Sequence, residues 1–370
     1  MAPEIRCALV GLSAIAAAPL APSLTGGRWA LPYSHASALA RIPGARLVAA
    51  CDLDPARLEA FVQTWGATWP GLRTYRDAGE MLASGGIDAL GVCTPDDRHA
   101  EIVVAAAERG VRAILCEKPL ATSLADADRM VAAVEAHSVV FAVDHTRRWD
   151  PFYARAKELI DAGRIGRVRS VNAVIHGERA MLYRNGTHAL DLLCWYAGAA
   201  PVRVFARLDP PDFAASGYRG DGGHDPASEP GASAYVEFAN GVRGHFNGIK
   251  GRVGFTEWDV LGDAGRIRIG PGLAELWTLD EQTGDLVLRP FPATMLMTGG
   301  IQAAWEELFA ALVGGGAVRS TVHDGRQVVA LIEAILASHR AGGLADVPGA
   351  PGPPGANAAP KAPSQMGETG

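Results

Sequence analysis

The sequence is short of everything that would place it outside ordinary globular proteins. No apolar run approaches the roughly 18 residues of a membrane-spanning helix, so no membrane is expected as a partner. Basic residues are not in excess: 34 Lys and Arg stand against 40 Asp and Glu, for a net charge of -6. That balance offers no cationic surface for a polyanion and excludes nucleic acid as the expected partner. Cysteine is scarce and odd in number. Cys7, Cys51, Cys93, Cys116 and Cys194 have no close pairing, and each sits inside an apolar run such as LVAACDL or RAILCEKP. They read as buried free thiols, which favour a reducing cytoplasm over a disulfide framework. At 370 residues with 48% hydrophobic content, the chain has material for two domains with separate cores.

What is present begins with an ambiguity. ALVGLSAIAAAPLA, residues 8–21, has the apolar stretch and small residues of a secretory signal, but it is also a buried strand entering a turn. The basic leader a signal needs is poor, because Glu4 offsets Arg6. The pattern that follows favours the strand. Up to about residue 145, strand-length apolar runs (IRCALVGL, ARLVAACDLD, IDALGVCTP, VRAILCEKP, SVVFAVDH) alternate with helical patterns such as PARLEAFVQTWG and SLADADRMVAAVEAH. Such alternation builds a parallel sheet with helices on both faces, since parallel neighbours require a crossover. The expected fold class is α/β, with a Rossmann-type dinucleotide-binding domain at 1–145 in which CALVGL is the first, central strand.

In such a domain the first turn should carry G-x-G-x-x-G, and here only Gly11 survives, with Ser13 and Ala16 at the other two positions. Ser13 and Ala14 are candidates for the pyrophosphate, although a plain strand-to-loop turn has the same composition. Asp52, at the end of the second strand in CDLDP, stands where the acid that accepts the adenosine ribose hydroxyls belongs, and it points to NAD rather than NADP. Arg57, on the following helix, is expected to point away from it. The gap from Gly11 to Asp52 is long because PLAPSLTGGRWALPYS, residues 19–34, is inserted there. With three prolines and two glycines this segment is no regular helix, and it serves either as a lid carrying Trp29 and Tyr33 or as a surface excursion.

Ligands of open parallel sheets bind outside the carboxyl ends of the strands, and Thr94, Pro95, Glu117 and Lys118 all stand there. These residues, with His99, Pro119, TRRWDP at 146–151 and GTHALDLLCWYAG at 186–198, give the chain a resemblance to the family named after glucose-fructose oxidoreductase, inositol dehydrogenase and the rhizopine catabolism protein (Gfo/Idh/MocA), over roughly residues 4–345. The resemblance implies an NAD(P)-dependent oxidoreductase acting on a sugar, cyclitol or sugar acid. It also implies a cis Lys118–Pro119 bond, catalytic roles for Lys118 and His188, cofactor contacts at Thr94, Pro95, His99 and Glu117, and a homodimer or homotetramer. No metal is expected.

Beyond residue 145 the pattern changes to a helix, DPFYARAKELIDAG, and then to alternating segments with short turns, from RVRSVNAVIHGE to DLVLRPFP. This predicts an α+β second domain, 146–345, with a predominantly antiparallel sheet. The segment PPDFAASGYRGDGGHDPASEPG is expected to be a mobile loop, and a disordered Pro/Gly/Ala-rich tail is expected at 346–370. In GTHALDLLCWYAG, His188 and Asp191 share a helix face. His188 is either the base that takes a hydroxyl proton or a polar packing residue, and Asp191 either orients its imidazole or caps local amides. Arg148, Trp149, Tyr183 and Arg184 are candidate substrate contacts. Arg184 stands where many dehydrogenases of that family carry an acid. This leaves three readings: net dehydrogenation, a glycosidase- or lyase-like reaction with retained NAD, or a non-catalytic dinucleotide sensor. Two cations near Lys118 further suggest an anionic substrate, unless Arg184 makes only a surface ion pair.

Overall fold

A computed structural model of the chain describes residues 3–19, 33–210, 229–291 and 300–351. The first domain is a six-stranded parallel sheet built from β1 (Ile5–Val10), β2 (Ala45–Cys51), β3 (Arg73–Tyr75), β4 (Ala89–Val92), β5 (Ala113–Cys116) and β6 (Val140–Val143), in the order β3-β2-β1-β4-β5-β6. The order reverses between β1 and β4, which opens a crevice at their carboxyl ends. The run CALVGL is therefore interior, paired with β2 on one side and β4 on the other. β4 and β5 are buried at every position, as parallel strands covered on both faces must be.

The helices α1 (Ala14–Ala17), α2 (His35–Leu39), α3 (Pro55–Trp65), α4 (Ala78–Ala83), α5 (His99–Glu108) and α6 (Leu124–Ala136) cover this sheet. Their starts follow local chemistry. Asp54, Asp77 and Ser123 each accept a backbone N–H of the first turn, and Pro55 fills the first helical position of α3.

The second domain opens with α7 (Pro151–Asp161) and α8 (Thr187–Ala197), which flank β7 (Val168–Gly177). Its sheet continues with β8 (Pro201–Leu208), β9 (Ala232–Phe238), β10 (Arg243–Lys250), β11 (Phe255–Gly262), β12 (Gly265–Gly270), β13 (Leu273–Leu279) and β14 (Leu286–Pro290). After α9 (Gly300–Gly314) and α10 (Val322–Ala341), the short β15 (Ala345–Asp346) pairs with β8 and completes nine strands. The pairing is antiparallel except between β7 and β10. Because β15 is part of this sheet and Val347 is buried, the second domain extends past the 346 boundary expected from composition. The remaining tail from 352, most of the 19–34 insertion with Trp29, and most of the loop at 210–231 lie outside the described residues.

α9 packs back onto the first domain against α2, β5 and β6. Its Trp305 is wholly buried, with its indole 3.1 Å from where a Cβ on Gly91 of β4 would sit. Glycine at 91 is what lets the indole lie on the strand. Removing the indole should cost about 3–5 kcal/mol. The amphipathic patterns of GIQAAWEELFAALVGG and DGRQVVALIEAILASHRAGG lead one to expect two helices that pack back on the first domain, and α9 and α10 both do so. The seat of Trp305 on Gly91 is not marked in the sequence.

Candidate active site

The crevice is assembled from the loops that leave β1, β4, β5 and β6. At its floor Gly11 takes φ +82°, and a Cβ there would lie 2.6 Å from the Cys93 carbonyl oxygen. Only glycine allows the β1 turn to pass so close to the β4 loop. Ser13 is half-buried at the start of α1 and makes no side-chain capping bond, Ala14 is exposed beside it, and Ala16 is buried. Asp52 accepts the Leu12 N–H at 2.7 Å and the Asp54 N–H at 2.9 Å. These two bonds aim its carboxylate at the end of the turn. A positive-φ glycine at the reversal point, an uncapped small-residue turn and an acid fixed at the end of β2 fit an adenine dinucleotide. One expectation fails here. Arg57 does not point away but lies 3.8 Å from Asp52, because the first turn of α3 returns the side chain over its own N-terminus.

Thr94, Pro95, Glu117 and Lys118 fall on the crevice loops as expected, and the Lys118–Pro119 bond is cis. His99 does not face the crevice. Its ring is fully buried and spans two loops, with Nε2 3.1 Å from the Thr94 carbonyl and Nδ1 3.0 Å from the Pro119 carbonyl. It is a clasp between the loops that follow β4 and β5.

Behind Lys118 stands a group the sequence did not single out. His35, at the start of α2, lies 3.3 Å from Glu117 and 3.6 Å from Asp144, both at its Nε2. A histidine and two carboxylates so close have the composition of a metal site. The other ring nitrogen decides otherwise: Trp305 donates its indole N–H to His35 Nδ1 at 3.1 Å. With Nδ1 accepting, Nε2 carries the proton and donates to Glu117, so it has no lone pair for a metal. Burial pushes Asp144 well above the usual carboxylate range, and the neighbouring Glu117 adds to this. Burial acts on Glu117 in the same sense, but His35 and Lys118 outweigh it and hold Glu117 low. The two acids are thus pushed in opposite directions, Asp144 toward its protonated form and Glu117 toward its carboxylate.

Across the crevice, the chain ahead of α8 forms a π-helical turn, Leu182–Gly186, and His188 sits in the first turn of the helix. His188 is 9% exposed, and its Nδ1 is covered. Burial drives its pKa well below 6.5, and the charges of Arg147 and Lys118 push the same way. It is a neutral imidazole within electrostatic reach of Lys118.

Four expected roles are corrected by the packing. Asp191 does not orient His188: its carboxylate binds Arg148 at 2.8 Å and His145 Nδ1 at 3.1 Å. Burial raises Asp191, but those two partners bring it down to about 2. Arg148 is committed in turn to Asp191 and Asp324 and is almost fully buried, so it holds the domain junction together rather than meeting substrate. Trp149 belongs to the core cluster that includes Ile301 and Leu308. Arg184 is buried and bonded to Asp96 at 2.7 Å, with Glu229 at 3.8 Å, so its charge is answered within the protein and is no surface pair. Tyr183 is buried beside it, its backbone N–H donated to Glu229.

Asp96, Asp144, His145 and Glu229 were missed along with His35. Asp144 and His145 follow β6 directly, so the strand-end rule that marks Lys118 could have found them. Glu229 and His35 carry no such signal, because each stands beyond a long Pro- and Gly-containing stretch of sequence that follows no strand pattern.

A Rossmann domain with its switch-point crevice, closed by an α+β domain that contributes a buried histidine, defines a two-domain nucleotide-dependent oxidoreductase fold. Residues 5–145 match the family described as "Oxidoreductase family, NAD-binding Rossmann fold", and residues 153–268 match the GFO/IDH/MocA C-terminal domain. The chain belongs to the GFO/IDH/MocA family.

Inositol 2-dehydrogenase of Rhizobium meliloti is 30% identical over 323 residues, 82% of this chain and 92% of that protein. D-apiose dehydrogenase of Paraburkholderia graminis is 36% identical over 49% of this chain, and scyllo-inositol 2-dehydrogenase (NAD(+)) of Bacillus subtilis 36% over 44%. Those matches span 52% and 42% of the two relatives, about half their length. Among solved structures, an oxidoreductase domain protein from Kribbella flavida superposes with a TM-score of 0.75 at 23% identity, over 93% of this chain and 99% of that one. An Agrobacterium radiobacter oxidoreductase in complex with NAD+, L-tartaric acid and magnesium gives 0.73 at 22% identity, over 93% and 98%. At these identities the likeness concerns the fold.

Proposed function

We propose that the protein is an NAD-dependent dehydrogenase that oxidises a hydroxyl of a cyclitol or sugar to the carbonyl. The observation that carries this reading is the neutral imidazole of His188 held within reach of the Lys118 charge at the cofactor end of the parallel sheet. A bound nicotinamide supplies the hydride acceptor. His188 takes the hydroxyl proton, which a neutral imidazole does without first losing one of its own. Lys118 donates to the same oxygen and stabilises the negative charge that develops on it. Thr94, Pro95 and Glu117 shape the crevice wall, and Asp52 accepts from the ribose.

The case for retained NAD without net oxidation rested on Arg184 in place of an acid. Asp96, 2.7 Å from Arg184, returns a carboxylate to that place and supports ordinary dehydrogenation. The same pairing removes the ground for requiring an anionic substrate. Exposed Phe205, Phe255, Leu279 and Leu286 on the second sheet support assembly into a homodimer or homotetramer. Five buried free thiols support residence in the cytoplasm.

The test is NADH formation by the purified protein with NAD+ and a panel of inositols, aldoses and sugar acids. Steady turnover with at least one neutral polyol is expected. Lys118→Ala should lose at least about 100-fold in turnover while dinucleotide affinity stays within a few fold. Unchanged turnover in that variant removes the assignment. Binding of NAD without turnover of any panel member favours a sensor.

A further inference from the structure

Asp191, expected to serve His188, serves His145 instead, and this leaves two imidazole nitrogens to be accounted for. His145 follows β6 and is 1% exposed. Its Nδ1 lies 3.1 Å from Asp191 Oδ1 and 2.9 Å from the Ser320 hydroxyl. Asp191 is ionised and can only accept, so His145 Nδ1 carries the proton, and in the neutral ring the lone pair is then on Nε2. That Nε2 is buried with no hydrogen-bond partner among the described residues, and the same is true of Nδ1 of His188. The two rings face each other edge to face with centroids 6.4 Å apart. For His188 to accept a proton at Nε2, its Nδ1 must already carry one, and a buried N–H needs an acceptor. Asp144 and Thr187 also carry buried oxygens without a partner among the described residues, but the ring that faces His188 edge to face is that of His145, whose Nε2 one water or a small ring rotation brings into reach.

We propose that His145 is the proton relay of the site: it receives from His188 Nδ1 the proton equivalent that the substrate hydroxyl delivers to His188 Nε2. The inference rests on the dehydrogenase reading. The balance is simple. The substrate O–H bond breaks and its proton bonds to His188 Nε2. The C–H pair leaves as hydride to NAD+, the oxidant, giving NADH and a carbonyl. His188 passes its Nδ1 proton to His145 Nε2, and one proton is finally released to water.

The arrangement answers a problem that His188 has alone. An imidazolium at 188 would face Lys118, Arg147 and Arg179 in a buried setting, with no anion among the described residues bonded to its Nδ1. An imidazolium at 145 would have the Asp191 carboxylate against its Nδ1–H, with Asp191 held by Arg148 and Arg148 balanced by Asp324. Charge moved from 188 to 145 goes from cations toward a carboxylate.

The discriminating variant is His145→Asn. An asparagine amide can still donate to Asp191 and meet Ser320, but it offers no ring nitrogen toward His188. If His145 merely anchors Asp191, this variant works normally. If it relays the proton, turnover falls by about 100-fold with melting temperature and NAD affinity retained, and added imidazole restores part of the rate. The wild type should show a solvent isotope effect whose proton inventory requires two protons in flight, and His145→Asn should reduce this to one.

A readout independent of turnover is the 15N spectrum of the labelled imidazoles in the protein with and without NAD. It should show His145 protonated at Nδ1 and not at Nε2. Wild-type turnover in His145→Asn, or an Nε2–H tautomer at His145, overturns the relay while leaving the dehydrogenase reading intact. Absence of any NADH formation by the wild type overturns both.

Discussion

Arg184, in the turn ahead of α8, donates to Asp96, in the loop after β4, across 2.7 Å, with both side chains almost wholly buried. The bond joins the second domain to the first at the crevice. It also reverses a polarity, because the acid now comes from the Rossmann loop and the base from the α8 side.

Breaking such a pair from one side leaves an uncompensated buried charge, which costs about 3–5 kcal/mol. Arg184→Ala is therefore expected to be strongly destabilised in denaturant titration. Asp96→Ala/Arg184→Ala should recover at least about 1 kcal/mol relative to the sum of the single variants. Strict additivity would show that the pair is not coupled. In any Arg184 variant that folds, the ratio of activity on matched neutral and acidic sugars should stay near the wild-type value.

His188 sets an expectation for pH. Its folded pKa lies below the unfolded value of about 6.5 because burial, then Arg147 and Lys118, disfavour the imidazolium. The unfolded chain thus binds more protons between the folded value and 6.5. The contribution of His188 to stability is present above about pH 6.5 and is lost as pH falls through that window. His188→Asn should flatten the acid side of the stability profile. The acidic limb of the rate profile should likewise lie below 6.5 rather than at it. An acidic limb that persists in any residual activity of His188→Asn would assign the base to another group.

Much of the fold was legible because its determinants are local and repetitive. Strand-length apolar runs between helices specify a parallel sheet, and RVRSVNAVIHGE and its successors alternate with period two. The crevice loops were legible for a related reason, since the end of a buried strand marks the mouth of the sheet. What escaped was long-range. Nothing near His35 shows that α9 will bring Trp305 to its Nδ1 from 270 residues away. Arg184 and Arg148 were misjudged because a lone arginine in sequence looks unpaired. Asp96, Glu229 and Asp324 answer them only after the domains close.

The acids behind Lys118 differ in charge state, so they should differ in response. Burial and Glu117 push Asp144 toward its protonated form, so its neutral amide analogue should be tolerated. A carboxyl whose folded pKa is raised loses stability as pH climbs from the unfolded value near 3.9 toward the folded one. Asp144→Asn lacks that loss and is expected to match or exceed the wild type in stability at pH 7. Glu117→Gln should do the opposite, since it removes the charge that answers Lys118 and His35. Equal responses from the two variants would mean that the proton is not localised on Asp144.

Cofactor choice rests on Asp52 and its unexpected neighbour. The carboxylate, aimed by the Leu12 and Asp54 amides, repels a 2′-phosphate and accepts from a 2′-hydroxyl, so the wild type is expected to bind NAD more tightly than NADP. Arg57 lies 3.8 Å from Asp52 and is half-exposed, close enough to meet a phosphate once the acid is gone. Asp52→Ser should therefore do more than weaken NAD: it should shift the affinity ratio toward NADP by at least about tenfold, or roughly 1.4 kcal/mol. Adding Arg57→Ala should cancel most of the gain on NADP while leaving NAD affinity nearly unchanged. Isothermal titration of the three proteins with both dinucleotides decides it. Tighter NADP binding by the wild type, or a gain in Asp52→Ser that survives Arg57→Ala, would mean that the ribose end is read by other residues.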